Sequence, residues 1–359
     1  MQALILVGGE ATRLRPLTCN MPKAMVPVLN TPFLEHVIRY LCGHGVNDIV
    51  LAQGHLPKLM DDYFQDGSRF GVKLTYSLES KPMGTGGAIK NAEEYLSDRF
   101  IVLNGDIFTD LDITSMMQFH QERRAKATIS LTPVEDPTAY GLIETTSDGR
   151  VTRFLEKPSW DQVTTNMINA GTLILEKEVL KLIPPQTNYS YERQLFPQLL
   201  ENGEPIYGYP SSSYWIDIGK PETYLQLHHD LMRGKVKGHT LIQDKMVKIG
   251  QGCSVHPDTQ IIGPALIGNN CSINRGAKLL GPIVIGSGNT IEEEAVIDSS
   301  ITWQNTHLRA KVNLKECLVA NDCVLDSNSY AEKSVIGDHV NISRNTRLGP
   351  GSRIWPSMK

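Results

Sequence analysis

Paired cysteines are missing from this chain. Cys19, Cys42, Cys253, Cys271, Cys317 and Cys323 form no C-x-x-C pair, the spacing that a redox dithiol or a zinc ribbon needs. Free thiols in a reducing cytosol are therefore expected. The ten histidines show no metal-ligand spacing either. Long apolar runs are absent. Stretches such as Ala3–Val7 and Phe100–Leu103 fall far short of the roughly 20 residues of a membrane span. No basic block stands out, since the densest is the short Glu122-Arg123-Arg124-Ala125-Lys126. With 35 Lys and Arg against 39 Asp and Glu, the formal charge is -4. Double-stranded nucleic acid, which asks for a clustered cationic face, is not an expected main partner. Met1–Gly9 lacks a basic n-region and a long apolar h-region. It reads as a strand entering a glycine turn, not as a signal peptide.

The composition itself, 40% apolar and 21% charged, is that of a folded globular protein. At about 150 residues per domain, 359 residues suggest two domains. The first two thirds alternate short apolar runs with amphipathic segments. Strands are expected at Ala3–Val7, Asp48–Ala52, Lys73–Tyr76, Phe100–Leu103 and Ala127–Val134. Helices are expected from Thr31-Pro32 to Gly43 or Gly45, over Gly86–Leu96, Thr114–Arg124 and Pro221–Met232. This alternation indicates βαβ units and a mostly parallel, Rossmann-like α/β sheet. Ligands bind such sheets beyond the carboxyl ends of the strands, where Gly8-Gly9 and Asn104-Gly105-Asp106 lie.

The last third follows another rule. Every sixth residue from Ile249 to Ile297 is Ile, Val or Leu, nine in nine, and a second run from Val312 to Ile354 adds eight large apolar residues. A helix cannot use a strict period of six, and a flat sheet needs period two. Period six fits a β-helix in which each hexad forms one side of a triangular coil. The 17 hexads then make about six coils of 18 residues. The phase slips by three within Ser299–Lys311, where an extended or irregular loop is expected. Cys253 and Cys271, 18 apart, should stack as part of a ladder of small core residues. The expected division is 1–234 for the α/β domain, 235–247 for a linker and 248–359 for the β-helix.

The strongest chemical signal is Gly8-Gly9-Glu10-Ala11-Thr12-Arg13-Leu14-Arg15-Pro16-Leu17, followed by Met21-Pro22-Lys23. Paired glycines let backbone N–H groups approach an anion, and Arg13 and Lys23 supply fixed positive charge. Neither the P-loop nor the dinucleotide fingerprint applies. A polyphosphate site is the better reading, with an ordinary tight turn as the alternative.

This signature resembles that of the sugar-1-phosphate nucleotidylyltransferases, with Ala11 where a glycine is common. Ala11 cannot adopt positive φ cheaply. Pro82-Met83-Gly84-Thr85-Gly86-Gly87-Ala88 resembles the family's nucleotide loop. Asn104-Gly105-Asp106 resembles its metal-binding strand end. Tyr140-Gly141, Glu156-Lys157-Pro158 and Asn169-Ala170-Gly171 resemble its sugar-phosphate pocket. Trp215-Ile216-Asp217-Ile218-Gly219 resembles the strand bearing its second metal carboxylate. The period-six tail resembles the left-handed β-helix appended to many members. The resemblance implies that Arg13, Lys23, Asp106 and Asp217 are catalytic, with Mg²⁺ on Asp106 and Asp217. It implies nucleotide binding by Gly8, Gly9, Thr12, Glu79, Gly84 and Thr85. Gly141, Glu156, Lys157 and Asn169 would bind the sugar phosphate, Gly141 by leaving room for the ring.

Glu79 bears on the base. A carboxylate only accepts hydrogen bonds, and guanine offers two adjacent donors. Glu79 therefore suits guanine. The β-helix tail together with this N-terminus resembles mannose-1-phosphate guanylyltransferases, which implies GTP and mannose-1-phosphate as substrates. Thymidylyl or uridylyl transfer to glucose-1-phosphate stays open. So do a non-catalytic regulatory subunit and a β-helix with a second acyl-transfer activity, for which His256, His307 and His339 are the candidate bases. His228 and His229 read as structural. A cytoplasmic homo-oligomer, joined through the β-helix and binding neither nucleic acid nor membrane, is expected.

Overall fold

The computed structural model describes residues 1–54, 56–238 and 247–356, so most of the expected linker lies outside the described residues. The chain forms two compact units. One comprises Met1–Gly9 and Leu34–Trp215, the other Glu10–Phe33 and Ile216–Lys359.

The first unit is built on a nine-stranded mixed sheet. Gln2–Leu6 lies between Asp48–Gln53 and Arg99–Asn104, parallel to both. Lys73–Leu78 extends this half in parallel. Leu4, Ile5, Ile49, Val50, Leu51, Ile101 and Val102 are fully buried. Such unbroken apolar runs mark strands covered on both faces. The long strand Met167–Glu176 turns the sheet antiparallel, pairing with Arg99–Asn104, Ala127–Pro133 and Gly141–Thr145. Val151–Glu156 and Ile206–Pro210 complete it. Leu34, Val37, Ile38 and Leu41 are buried as the helical spacing predicts. That helix runs Phe33–Gly43, however, because Thr31–Pro32 pairs instead with Pro27–Val28 in a short hairpin. Pro221–Met232 is helical as expected.

The topology brings the two glycine turns together. Leu6 and Asn104 are register partners at the carboxyl ends of adjacent parallel strands. The Gly105 amide donates to the Leu6 carbonyl at 2.9 Å.

The second unit contains three all-parallel sheets of seven, six and six short strands, the pattern of the expected left-handed β-helix. Isoleucine, leucine and valine stack inward, as in the row Leu279, Ile297, Leu314. The irregular loop expected over 299–311 is not there, since Ile301–Thr302 and His307–Leu308 are regular strands. The slip is instead divided among three coils. Ile285 stacks on Thr302, then Val319, then Ile336, each 17 residues on. Earlier coils step by 18, as from Val247 to Ala265 to Ile283. Each shortened coil loses its residue at the same corner, entered by Ser299, Glu316 and Lys333 at φ 47, 51 and 44°. Three single deletions sum to three, so a period-six reading realigns on other apolar residues. Val312, Leu318, Val324 and Tyr330 were expected in the stacked rows. Leu314, Val319, Leu325 and Ala331 occupy them.

Cys253 and Cys271 do stack, with the Cys271 amide 3.4 Å from the Cys253 sulfur. They belong to a ladder in which each side chain bonds a carbonyl of the next coil. Cys253 reaches Gly268, Cys271 reaches Gly286, Asn289 reaches Trp303, Thr306 reaches Ala320 and Cys323 reaches Gly337. Burial pushes the Cys317 thiol up to about 11 and the Cys323 thiol up to about 12. These are structural, unreactive thiols.

The stacking register has a measurable consequence. Leu325 is buried in a row and Val324 is only partly buried beside it. Leu325→Ala should cost about 2–5 kcal/mol, and Val324→Ala under about 1 kcal/mol. Chemical denaturation distinguishes them, and equal costs would favour the unbroken period-six phase.

Candidate active site

In the second unit, three of the expected catalytic residues meet. The Asp217 carboxylate receives Arg13 Nη2 on one oxygen and Lys23 Nζ on the other, both at 3.4 Å. The Gly219 amide donates to it at 2.6 Å. Lys23 and Asp217 are 11% and 14% exposed, whereas Arg13 is 58% exposed. Arg13 is therefore the cation most accessible to a solvent-borne anion. A side chain at Gly219 would lie 2.5 Å from the Arg13 guanidinium. That close approach explains the glycine.

The loop that carries Arg13 is strained. Ala11 sits at φ 49°, ψ 42°, in the left-handed region. Its carbonyl accepts from the buried Thr18 hydroxyl at 2.9 Å, which holds the turn closed. Thr12 is exposed at the start of the following short 3₁₀ turn. Lys157 is likewise left-handed, at φ 51°. Both fall on motif residues, although other left-handed residues such as Leu56 and Arg124 lie outside the motifs.

In the first unit, Gly8 makes room for Glu79. A Cβ on Gly8 would lie 2.8 Å from Glu79 Oε1 and 3.3 Å from the Gly54 amide. The other oxygen of Glu79 accepts from the Met83 amide at 3.0 Å, which ties it to the Pro82–Ala88 loop. Burial raises the Glu79 carboxyl above the ordinary range, and the Met83 bond opposes this. A Cβ on Gly9 would meet nothing within 4 Å, so the role of Gly9 is not steric. Gly84, at φ 69°, opens the helix Gly84–Asn91 against the carbonyl of Tyr189.

Thr85 was expected to bind nucleotide. Its hydroxyl donates to Glu192 at 2.8 Å and accepts from the Tyr191 amide at 3.1 Å, which fixes the loop to that segment. Gly141 pairs with Glu156 across two antiparallel strands. The space above Gly141 is filled by the protein, since a Cβ there would lie 2.7 Å from Phe154 and 3.1 Å from Glu156. Glu156 is raised by burial first and by nearby Glu192 second, against Lys157 and Arg193. Asn169 uses its carbonyl oxygen to cap the Gly171 amide at 2.9 Å. Asp106 is half-buried in the turn after Arg99–Asn104.

The sequence reading missed Tyr191 and Glu192. Tyr191 is fully buried and donates to Asn104 at 2.9 Å. It thus links the strand before Asp106 and, through its amide, the Pro82–Ala88 loop. Tyr189-Ser190-Tyr191-Glu192 carries no spacing signal beyond Ser190 capping the turn that follows. Trp215 was passed over too. Its indole donates to the Ala170 carbonyl at 2.9 Å, and Tyr140 meets it edge-on at 5.5 Å.

His228 and His229 are structural as expected. His228 accepts from the Leu29 amide, and His229 contacts the Ser299 carbonyl. His307 pairs with Glu292, His339 with Asp322 and His256 with Asp258. The first two pairs run between coils, like Arg309 with Asp326 and Lys315 with Glu332. This is a pattern of inter-coil charge pairing. The donor set suits Mg²⁺: the chain offers hard carboxylate oxygens at Asp106 and Asp217. Among the described residues no group of three or more His, Cys, Asp or Glu could hold a metal. Mg²⁺ bound through one or two carboxylates plus substrate phosphates needs no such cage.

The nucleotidyl transferase family model matches residues 2–234, and the GMPPB C-terminal domain model matches residues 261–357. The chain is 37% identical to mannose-1-phosphate guanylyltransferase of Mycobacterium tuberculosis, over 74% of this chain and 75% of that one. It is 33% identical to UTP–glucose-1-phosphate uridylyltransferase of Synechocystis, over 92% of this chain and 90% of that one. The structure of HddC from Yersinia pseudotuberculosis superposes with a TM-score of 0.56 at 32% identity, covering 63% of this chain and 97% of that one.

Two substitutions test the turns. Ala11→Gly should stabilise the protein by about 1 kcal/mol by relieving the left-handed strain, read as a raised denaturation midpoint. Gly8→Ala should displace the Glu79 carboxylate and weaken nucleotide binding at least tenfold, about 1.4 kcal/mol, in calorimetric titration. Unchanged binding would show that Gly8 and Glu79 do not share the nucleotide site.

Proposed function

Since the chain belongs to the nucleotidyl transferase family, we propose that it joins GTP and mannose-1-phosphate to give GDP-mannose and pyrophosphate. The single observation that carries the base assignment is the Glu79 carboxylate lodged beside Gly8 and tied to the Pro82–Ala88 loop. A carboxylate accepts from both guanine donors, N1–H and the exocyclic amine. Uracil offers one donor flanked by two carbonyls, which a carboxylate repels. The guanylyltransferase relatives and the GMPPB-type tail point the same way. The uridylyltransferase likeness supports the second reading, UTP with glucose-1-phosphate.

A phosphate oxygen of the sugar-1-phosphate attacks the α-phosphorus of the nucleotide, and pyrophosphate leaves. The second pKa of a phosphate is about 6, so the nucleophile is already anionic and needs no general base. The barrier lies in bringing two polyanions together. Positioning and charge neutralisation therefore dominate. Arg13 holds the departing pyrophosphate and Lys23 neutralises charge near the reacting centre. Lys157 binds the sugar phosphate, while Glu156 and Asn169 meet sugar hydroxyls. Gly8, Gly9, Thr12, Gly84 and Thr85 shape the nucleotide turn and loop. Asp106 and Asp217 hold Mg²⁺, which supplies further charge neutralisation when bound. All five charged residues expected for activity, Arg13, Lys23, Asp106, Lys157 and Asp217, are present. This favours an enzyme over a regulatory subunit. We place the protein in the cytoplasm as a homo-oligomer; no described helix is long and apolar enough to cross a membrane.

Pyrophosphate release with Mg²⁺, crossing five nucleoside triphosphates with mannose- and glucose-1-phosphate, tests the reaction. Release with GTP and mannose-1-phosphate alone is expected. Release with UTP or dTTP and glucose-1-phosphate would discard the base assignment. No release by folded, nucleotide-binding protein would indicate a regulatory subunit.

The raised Glu79 carboxyl gives a pH signature. Glu79 protonates at a higher pH than an ordinary carboxyl, and the protonated form is the weaker acceptor. GTP affinity should therefore fall as pH drops through that raised value. Glu79→Gln should flatten this acid limb and lower the GTP preference over UTP by at least tenfold, about 1.4 kcal/mol. An unchanged limb and preference would remove Glu79 from base recognition.

A further inference from the structure

The last strand of the β-helix, Arg353–Ile354, reaches the strained anion loop. Arg353 Nη1 donates to the Arg13 carbonyl at 3.1 Å and to the Arg15 carbonyl at 2.9 Å. These carbonyls flank Leu14, which is fully buried. One guanidinium nitrogen thus clamps the backbone on both sides of the residue that anchors the loop. A second tie lies a few residues on. Asp338 is 5% exposed and accepts from Asn20 at 3.3 Å. Its other oxygen accepts from the Asn321 amide at 3.0 Å and side chain at 3.1 Å, so it is fixed by the coil below. A third tie is Asn30, which donates to the Ile285 carbonyl at 2.9 Å. The segment Glu10–Phe33 is therefore fastened to three coils of the β-helix along its length.

We propose that Arg353 is a positioning residue for the transfer reaction, and that the β-helix splints the anion loop in its active geometry. The inference rests on the proposed function above. Ala11 holds an unfavourable left-handed conformation, and such strain persists only when surrounding structure over-determines it. Thr18 supplies one constraint from within the loop, and Arg353 supplies the other from outside. Arg353 bonds main-chain oxygens, so what it fixes is where the Arg13 side chain starts. It has no need to touch substrate. A charged donor makes hydrogen bonds about twice as strong as neutral ones, which suits an exposed position where a neutral donor would lose to water.

The test uses the full chain with Arg353→Ala and Arg353→Lys. Amide exchange of residues 10–20 is measured without substrate, and pyrophosphate release is measured with saturating Mg²⁺. In Arg353→Ala, exchange in that segment should rise about tenfold while the rest of the chain is unchanged. kcat should fall between about tenfold and 100-fold, because misplacement on the ångström scale costs that much. KM for mannose-1-phosphate should stay within about twofold. Arg353→Lys and added guanidinium should each restore part of kcat. Unchanged exchange and unchanged kcat would overturn the proposal. So would a kcat loss fully matched by general unfolding, with no guanidinium rescue. If the wild type released no pyrophosphate with any substrate pair, the proposed function would fail. A local exchange increase would then still establish the splint.

Discussion

A carboxylate between two cations organises the second unit. Arg13 and Lys23 carry like charge and would repel one another if brought together alone. Asp217 offers one oxygen to each, at 3.4 Å, and so permits both to be held within one small region. The Gly219 amide fixes the carboxylate, and the missing Gly219 side chain leaves space for the Arg13 guanidinium. Neither ion pair is short.

The same cluster depends on a strained stretch of chain. Ala11 gives a left-handed turn without the freedom of glycine, so the loop needs support. Part comes from Thr18 and the buried Leu14. Part comes from the β-helix, through Arg353, Asp338 and Ile285. The helix Pro221–Met232 joins this framework. Tyr224 is fully buried, donates to the Pro27 carbonyl and accepts from the Trp303 indole at 3.2 Å. A repetitive β-helix is rigid because every coil hydrogen-bonds the next. It is a suitable base for a loop that does not hold itself.

The first unit carries its charge differently. Its two notable carboxylates, Glu79 and Glu156, are half-buried and raised by desolvation. Such carboxylates accept strongly from neutral donors, because less water competes. Tyr191 ties the end of the strand before Asp106 to the Pro82–Ala88 loop, bonding Asn104 while its amide donates to Thr85.

The sequence alone determined a good deal. Period six is a direct imprint of three-sided coils, so the β-helix and its cysteine ladder were readable. Buried parallel strands betray themselves as apolar runs, and the glycine turns mark their carboxyl ends. The signature Gly8–Lys23 pointed to anion chemistry through its paired glycines and two cations, whereas Asp217 entered through the family resemblance. Only the tertiary structure decided the rest. The phase slip looked like one event because three single-residue deletions at the same corner sum to half a hexad. The neighbours of Thr85 and Gly141, which are Glu192, Phe154 and Glu156, were not legible in the sequence. Tyr191 and Arg353 carry no local signal, because what they do depends on partners 87 and 340 residues away. Local patterns record the period and polarity of an element. Which side chain meets which distant carbonyl is settled only when the elements pack.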